Sequence, residues 1–254
     1  MQERWQTVNK LSIGYSSLAE RVRNLKFLPD FNNILIVQNP NQISFEMPKA
    51  ANLKTVMLSS KGVAKSRNQA LQHCESEYLL FADDDIIFNL SGIEEAVAYF
   101  DANPKCDLLL MQAVNPAGEL RKSYPTKSQK LTKFNSAKAA TYEMMVRVPT
   151  VKKLNIRFDE NFGAGVENHL GDEYIFITDL LKAGGKGQFL PITIATHPEE
   201  SSATPWSSDK ALKARAKIFT RVFGPTAPLI RLAFILKARQ RVGFIGIIKF
   251  VVGR

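Results

Sequence analysis

Cysteine, histidine and long apolar runs are all scarce in this chain. Its 254 residues hold two cysteines and three histidines. Cys74 and Cys106 form no close motif, which argues against a disulfide framework and a cysteine-based zinc site and suits a reducing compartment. No stretch reaches the roughly 18 uninterrupted apolar residues of a membrane span. The opening MQERWQTVNK lacks the apolar core of a secretion signal. The expected location is the cytoplasm. Internal repeats and low-complexity segments are also missing.

Acidic residues are nearly absent from one end. From Ser207 to Arg254 there are 11 Lys or Arg against a single acid, Asp209, so this segment carries the whole formal charge of +10. Residues 1–206 balance to zero. A neutral body speaks against nucleic-acid binding, and the tail points to an acidic partner. With 45% apolar residues the chain can bury a sizeable core. The expected division is a catalytic body, 1–206, and a basic helical tail, 207–254.

In the body, short apolar runs alternate with longer mixed segments. LSIGYS (11–16), NILIVQ (33–38), KTVML (54–58), YLLFA (78–82), DLLLMQA (107–113), TYEMMVRV (141–148) and QFLPITIAT (188–196) read as strands. SLAERVRNLKFL (17–28) and AKSRNQALQHC (64–74) read as helices, as does a segment that Ser91 can cap and that runs to about Phe100. Another helix is expected from about Asp172 to the Gly184–Gly185 stop. Runs this apolar suit strands buried on both faces, so the fold class is α/β, an open, mostly parallel sheet flanked by helices. NPAGELRKSYPTKSQK (115–130) reads as a basic surface loop.

Four stretches carry candidate chemistry. EYLLFADDDIIF (77–88) ends an apolar run in three carboxylates, Asp83, Asp84 and Asp85. At about 5 Å two such charges repel by about 3 kcal/mol near a protein surface, so an offset is needed. A hard divalent cation at the carboxyl edge of the sheet is the first candidate, an exposed acidic turn the other. SSKGVAKSRNQAL (59–71) sets Gly62 ahead of a helix with Lys65 and Arg67, a bidentate phosphate ligand by its geometry or else part of a solvated basic face. Asp172 and Glu173 stand in the first turn of a helix, where the macrodipole favours acids and where a general base could be presented. His197, in THPEESS (196–202), could add an imidazole to a metal held by carboxylates; His73 and His169 are weaker candidates.

Taken in order, these stretches resemble the family 2 glycosyltransferases of the GT-A fold, over roughly residues 9–202. The resemblance rests on the opening strand, Gly62–Arg67–Asn68, the Asp-x-Asp of FADDDI, and FDENFGAG followed by GDE and LLKAG. It implies that Asp85 holds a Mn²⁺ or Mg²⁺ bridging the donor's diphosphate, with Asp83 facing the ribose or the same metal and Asp84 between them. It further implies that Ser12, Gly14, Tyr15, Gln38 and Asn39 lie near the nucleotide base and Arg67 near the diphosphate. GDE at 171–173 aligns with the family's acidic pair. Many members read Glu-Asp where this chain reads Asp-Glu, and Glu173 is set slightly ahead of Asp172 as the base. Many members also carry an Asp where this chain has Gln38–Asn39. The implied activity is a metal-dependent, inverting transfer of a sugar from a nucleotide-diphosphate sugar, a UDP-sugar by family habit, to a glycan hydroxyl.

The tail PLIRLAFILKARQRVGFIGIIKFVVGR (228–254) mixes apolar residues with Arg and Lys every few positions. It suits an amphipathic helix or helix pair lying on an anionic membrane, the alternative being a pair of helices packed on the body with basic outer faces. In the first case the acceptor would be a lipid-linked glycan of a cell-surface polysaccharide, assembled at the inner face of the membrane. Two other readings stay open: a nucleotidyl- or phosphotransferase on a similar sheet, and a non-catalytic basic protein that binds membrane or nucleic acid through its tail.

Overall fold

The computed structural model describes residues 10–198, 208–238 and 244–253. The N-terminal MQERWQTVN, the Glu199–Ser202 end of THPEESS, the boundary near Trp206 and residues 239–243 of the tail lie outside them.

Among the described residues nine strands form one sheet: β1 (Leu11–Leu18), β2 (Asn32–Gln38), β3 (Leu53–Leu58), β4 (Tyr78–Asp83), β5 (Ile87–Phe88), β6 (Leu108–Val114), β7 (Gln129–Lys130), β8 (Met144–Arg147) and β9 (Gly187–Thr196). Their spatial order is β3-β2-β1-β4-β8-β6-β9-β5, with β7 against β9. The long ladders, β1 with β2 and β4, β2 with β3, and β6 with β9, are parallel, while the antiparallel ones are short. The open, mostly parallel α/β sheet expected from the apolar runs is the one observed. Parallel pairing brings the carboxyl ends of β1, β2 and β4 to one edge, where Ser16 pairs with Asp83 and Leu18 with Gln38.

Helices cover both faces. On one, Ile13, Tyr15, Leu35, Val37 and Leu80 pack with Ile93, Val97 and Phe100 of α2 (Leu90–Ala102). On the other, Ile34, Ile36, Leu79 and Phe81 meet α1 (Val63–His73) and α4 (Asp172–Lys182), with the short α3 (Val148–Lys153) beside them. Alternate residues of β1 and β2 thus enter opposite cores, as the two-residue period of a strand requires. Gly14 is where α1 crosses β1: a Cβ there would stand 2.9 Å from that of Ala70.

Local corrections follow from tertiary pairing. The helix expected over 17–28 is a 3-10 turn, Ala19–Asn24, because β1 continues to Leu18. Leu25, Phe27 and Leu28 fold back onto the α2-side core instead of forming a helical stripe. Asn89, not Ser91, caps α2, its Oδ1 accepting the Ser91 N–H at 3.2 Å. Residues 141–143 form a 3-10 turn, so the strand there begins at Met144.

The tail forms α5 (Asp209–Phe223), α6 (Ala227–Ala238) and α7 (Phe244–Val252). The inner face of α5 is docked: Ile218, Val222 and Phe223 pack with Phe162, Tyr174 and Ile175. Arg221 pairs with Asp179 at 2.7 Å and with Asp159 at 2.8 Å. α6 and α7 close on α5 through Leu212, Ala216, Ile235 and Phe250. The helical run Asp209–Leu236 is long and apolar enough, by length and composition alone, to cross a membrane. The docked face of α5 and the buried Arg231 show that part of this run is packed within the protein. Leu229, Leu232 and Leu236 of α6 remain exposed, as do Ile248 and Val252 of α7.

Candidate active site

At the carboxyl edge of the sheet, Arg67 is the hub. Its position on the second turn of α1 buries the guanidinium beneath the edge, over the Phe158 ring at 5.8 Å. Nη1 donates to Asp172 Oδ2 and Nη2 donates to Asp83 Oδ1 at 3.2 Å. Burial works against the Arg67 charge, but Asp172, Asp83 and Glu173 outweigh it and raise its pKa. A planar fork on a permanently charged group can serve two carboxylates at once, which an ammonium cannot do with the same geometry.

Asp172 is itself buried at the start of α4. Gly163 presses against its carboxylate, with a φ of +100°, and a Cβ there would come within 2.8 Å of Oδ1. Glu173, one residue on, is only half-buried. Burial, then the neighbouring Asp172 charge and a hydrogen bond to it, push the Glu173 carboxyl up to about 8 against the opposing pull of Arg67. The two acids therefore differ in surroundings: Asp172 is paired with Arg67, while burial and the Asp172 charge favour the protonated form of Glu173.

The three aspartates separate as well. Asp84 turns inward, accepting from Ser17 Oγ at 3.0 Å and pairing with Arg21 at 2.6 Å. Burial raises its pKa, with Arg21 and Ser17 acting against that rise. Asp83 and Asp85 keep about a third of their side chains exposed. Arg21 also reaches Asp85 Oδ2 at 3.3 Å. The repulsion that the sequence alone assigned to a cation is thus met in part by Arg67 and Arg21.

One atom is left over. Asp85 Oδ1 is buried without a hydrogen-bond partner. It lies 3.6 Å from His197 Nε2. His197 Nδ1 sits 2.7 Å from the Pro198 carbonyl, which can only accept, so Nδ1 donates there and Nε2 is the ring nitrogen that faces Asp85. A buried carboxylate oxygen without a hydrogen-bond partner, beside an imidazole nitrogen, is a donor set that a divalent cation can use. Among the described residues no three His, Cys, Asp or Glu side chains group closely enough to hold a metal unaided. A Mg²⁺- or Mn²⁺-type ion that takes most of its oxygens from a diphosphate and water matches such a partial set.

Other candidates lie elsewhere. Ser12 is at the opposite end of β1, bonded to Ser76 Oγ at 2.8 Å. Gly14 is under α1, and the Tyr15 ring is in the α2-side core, edge-on to Phe27 at 5.0 Å. The structure does not bring these three to the cleft. Gln38 is at the edge, but its Oε1 accepts the Gly62 N–H at 2.8 Å and so joins β2 to the start of α1. Asn39 is bonded through both amide atoms to the backbone of Ile43. Lys65 stands half-buried on the first turn of α1, and His169 half-buried in the loop ahead of α4.

Sequence reasoning missed Arg21, Ser17, Tyr142 and Arg121. Tyr142 lies 4.8 Å, ring to ring, from His197. Arg121 donates to the carbonyls of His197 and Pro198, fixing the strand end that presents the imidazole. Asn68, noted only as part of a motif, clamps the 158–160 loop by donating to Phe158 O and Glu160 Oε1 and accepting the Phe158 N–H.

Comparisons with known proteins bear on the fold and the family. The crystal structure of residues 1–349 of TarS from S. aureus in complex with UDP-GlcNAc superposes with a TM-score of 0.57 at 18% identity, covering 85% of this chain and 67% of that one. The same fragment in complex with UDP gives 0.55 at 18% identity, covering 84% and 66%. At this identity the likeness speaks for the fold, which is GT-A. By sequence, the poly(ribitol-phosphate) beta-N-acetylglucosaminyltransferase TarS of Staphylococcus aureus, in strains Mu50 and MW2, is 34% identical over 88 residues. That stretch is 34% of this chain and 15% of the relative's length. The model of Glycosyl transferase family 2 matches residues 17–161, more than half of the chain and the part that holds Arg67 and the three aspartates, so the chain belongs to that family.

Proposed function

We propose that the protein transfers a sugar from a UDP-sugar to a hydroxyl of a glycan acceptor, with inversion, and that Glu173 is the general base. The observation that carries this reading is the Arg67 bridge. It holds Asp172 as a buried, paired carboxylate and leaves Glu173 as the acid that can face a substrate. A base with a raised pKa has a strong pull on the acceptor proton once ionised. Glu173 accepts that proton as the hydroxyl attacks the anomeric carbon from the face opposite the diphosphate.

The donor's diphosphate is read as lying at the edge between Arg67 and the pair Asp83 and Asp85, with Lys65 near it. Asp85 and His197 would hold a divalent cation there, Asp83 standing beside them. Bound Mn²⁺ or Mg²⁺ supplies charge stabilisation to the leaving diphosphate. Asp84, Ser17 and Arg21 keep the carboxylates in place, and Gln38 with Gly62 keeps α1 in register with the sheet. The related TarS structures contain UDP-GlcNAc and UDP, which makes UDP-GlcNAc the first donor to test.

The acceptor is taken as a glycan of a cell-surface polymer, since the TarS relatives are named for poly(ribitol-phosphate). The exposed Leu229, Leu232 and Leu236 of α6, beside Lys237, Arg239 and Arg241 in sequence, support contact with the anionic inner face of a membrane and a lipid-linked acceptor. The deciding experiment incubates the protein with UDP-GlcNAc, Mn²⁺ and a cell-wall glycan fraction and follows UDP release and the anomeric configuration of the product. β-Linked sugar from the α-donor is expected. Retained configuration, or nucleotide instead of sugar on the acceptor, would overturn it.

A further inference from the structure

A cavity of about 470 Å³ opens between residues 122–139 and the sheet, walled by Leu110 of β6, Phe189 of β9, Tyr124, Leu131 and Phe234 of α6. None of the proposed site residues lines it, but two contacts link its surroundings to them. The buried Glu143 in its wall pairs with Lys122 at 2.7 Å and accepts from Tyr124 OH, and its chain neighbour Tyr142 lies 4.8 Å, ring to ring, from His197. The hydroxyl of Tyr174, the chain neighbour of Glu173, donates to the carbonyl of Lys133, which precedes the lining residue Phe134.

The segment that roofs this cavity is basic throughout. Arg121, Lys122, Lys127, Lys130, Lys133 and Lys138 follow one another with no acid between Glu119 and Glu143. Lys127, Lys130, Lys133 and Lys138 are exposed, and among the described residues none of the four is ion-paired. Residues 1–206 are neutral as a whole, so this stretch is a local segregation of positive charge over the cavity. Spaced cations hold a repeating anionic chain and attract it over a Debye length. Aromatic walls offer flat apolar faces to the C–H sides of a sugar or polyol, and Tyr124 and Phe189 lie near-parallel with centroids 6.3 Å apart.

We propose that this cavity and its basic roof bind the acceptor, and that the acceptor is a polyanionic glycan bearing phosphodiester or carboxylate groups. This deepens the transferase reading and rests on it. Phe234 makes the tail part of the proposed acceptor site, since α6 contributes this ring to the cavity lining.

The test is fluorescence anisotropy with three labelled oligomers of equal length: a polyol phosphate, a polyuronate and an uncharged glucan. Both anionic probes are expected to bind at least tenfold more tightly than the glucan, and more weakly as salt rises from 50 to 300 mM. The triple variant Lys130→Gln, Lys133→Gln, Lys138→Gln should lose at least tenfold for the anionic probes. Phe234→Ala should weaken all three. Equal binding of charged and uncharged probes, or a triple variant within twofold of the parent, overturns the proposal. UDP-GlcNAc affinity is measured on the same samples by calorimetry. Its absence from the parent protein would sink the transferase reading, whereas intact donor binding with no anionic preference sinks only this one.

Discussion

Arg67 and Asp172 are joined by a buried hydrogen-bonded ion pair that spans 105 residues of sequence, and the other nitrogen of the same guanidinium holds Asp83. One side chain thus fixes α4 against β4 and assigns different roles to the neighbouring acids 172 and 173.

Removing the hub should cost stability first. Arg67→Met leaves Asp172 buried without its cation, and breaking one partner of a buried pair costs roughly 3–5 kcal/mol. Urea unfolding should show a loss of that size, and Arg67→Met combined with Asp172→Leu should lose less than the sum of the two single changes. Strict additivity would mean that the two residues do not act as a pair.

Glu173 should give the protein a distinctive pH dependence. Its pKa is raised from 4.5 to about 8 in the fold. Between those values the unfolded chain ionises while the native carboxyl stays protonated, so this group lowers stability as pH rises through that window. Glu173→Gln, neutral at every pH, should therefore gain melting temperature relative to the parent between pH 4.5 and 8 and hold a constant difference above. In the free enzyme kcat/KM should rise with pH through about 8. A Tm difference that does not change with pH would remove the claim of a raised pKa.

The cation site makes separate predictions for the three aspartates. Asp85→Asn and His197→Ala should each weaken Mn²⁺ binding in the presence of UDP by tenfold or more, read by calorimetry. Asp84→Ala should leave that affinity within about threefold and instead lower stability by roughly 1–3 kcal/mol, because it removes the buried carboxylate that Ser17 Oγ and Arg21 both engage. A larger metal defect in Asp84→Ala than in Asp85→Asn would reverse the assignment.

The outer face of the tail can be tested without touching the site. Changing Leu229, Leu232 and Leu236 to Gln replaces exposed side chains, so the fold should be nearly as stable as before. Sedimentation with vesicles containing phosphatidylglycerol should fall several-fold. Unchanged sedimentation would leave the exposed leucines without a membrane role.

Much of this arrangement can be read in the chain, and the rest is hidden for identifiable reasons. β1, β2, β4, β6 and β9 announce themselves as apolar runs because both of their faces are covered. β5 and β7 are two residues each, too short to leave a pattern. Leu25, Phe27 and Leu28 have a spacing that fits a helix, and only their packing on the α2-side core, with Phe27 edge-on to Tyr15, shows otherwise. That misreading hid Arg21, which looked like one more charge on a helix surface. Arg67, the aspartates, Glu173 and His197 come together because each stands at the end of a strand or the start of a helix on the same sheet edge. Ser12 fails by register, four residues short of that edge, and Tyr15 by alternation, which turns it into the core. Gln38 and Asn39 reach the edge but spend their amides on the backbone, a common fate of such residues just after a strand.

The most direct test of the account is single-turnover transfer from UDP-GlcNAc by Glu173→Gln and Asp172→Asn, with donor affinity measured alongside. Glu173→Gln should slow transfer by 10²-fold or more while holding the donor within threefold of the parent, and Asp172→Asn should lose chiefly stability. If a well-folded Asp172→Asn protein were the inactive one and Glu173→Gln turned over normally, the roles given to the two acids would be wrong.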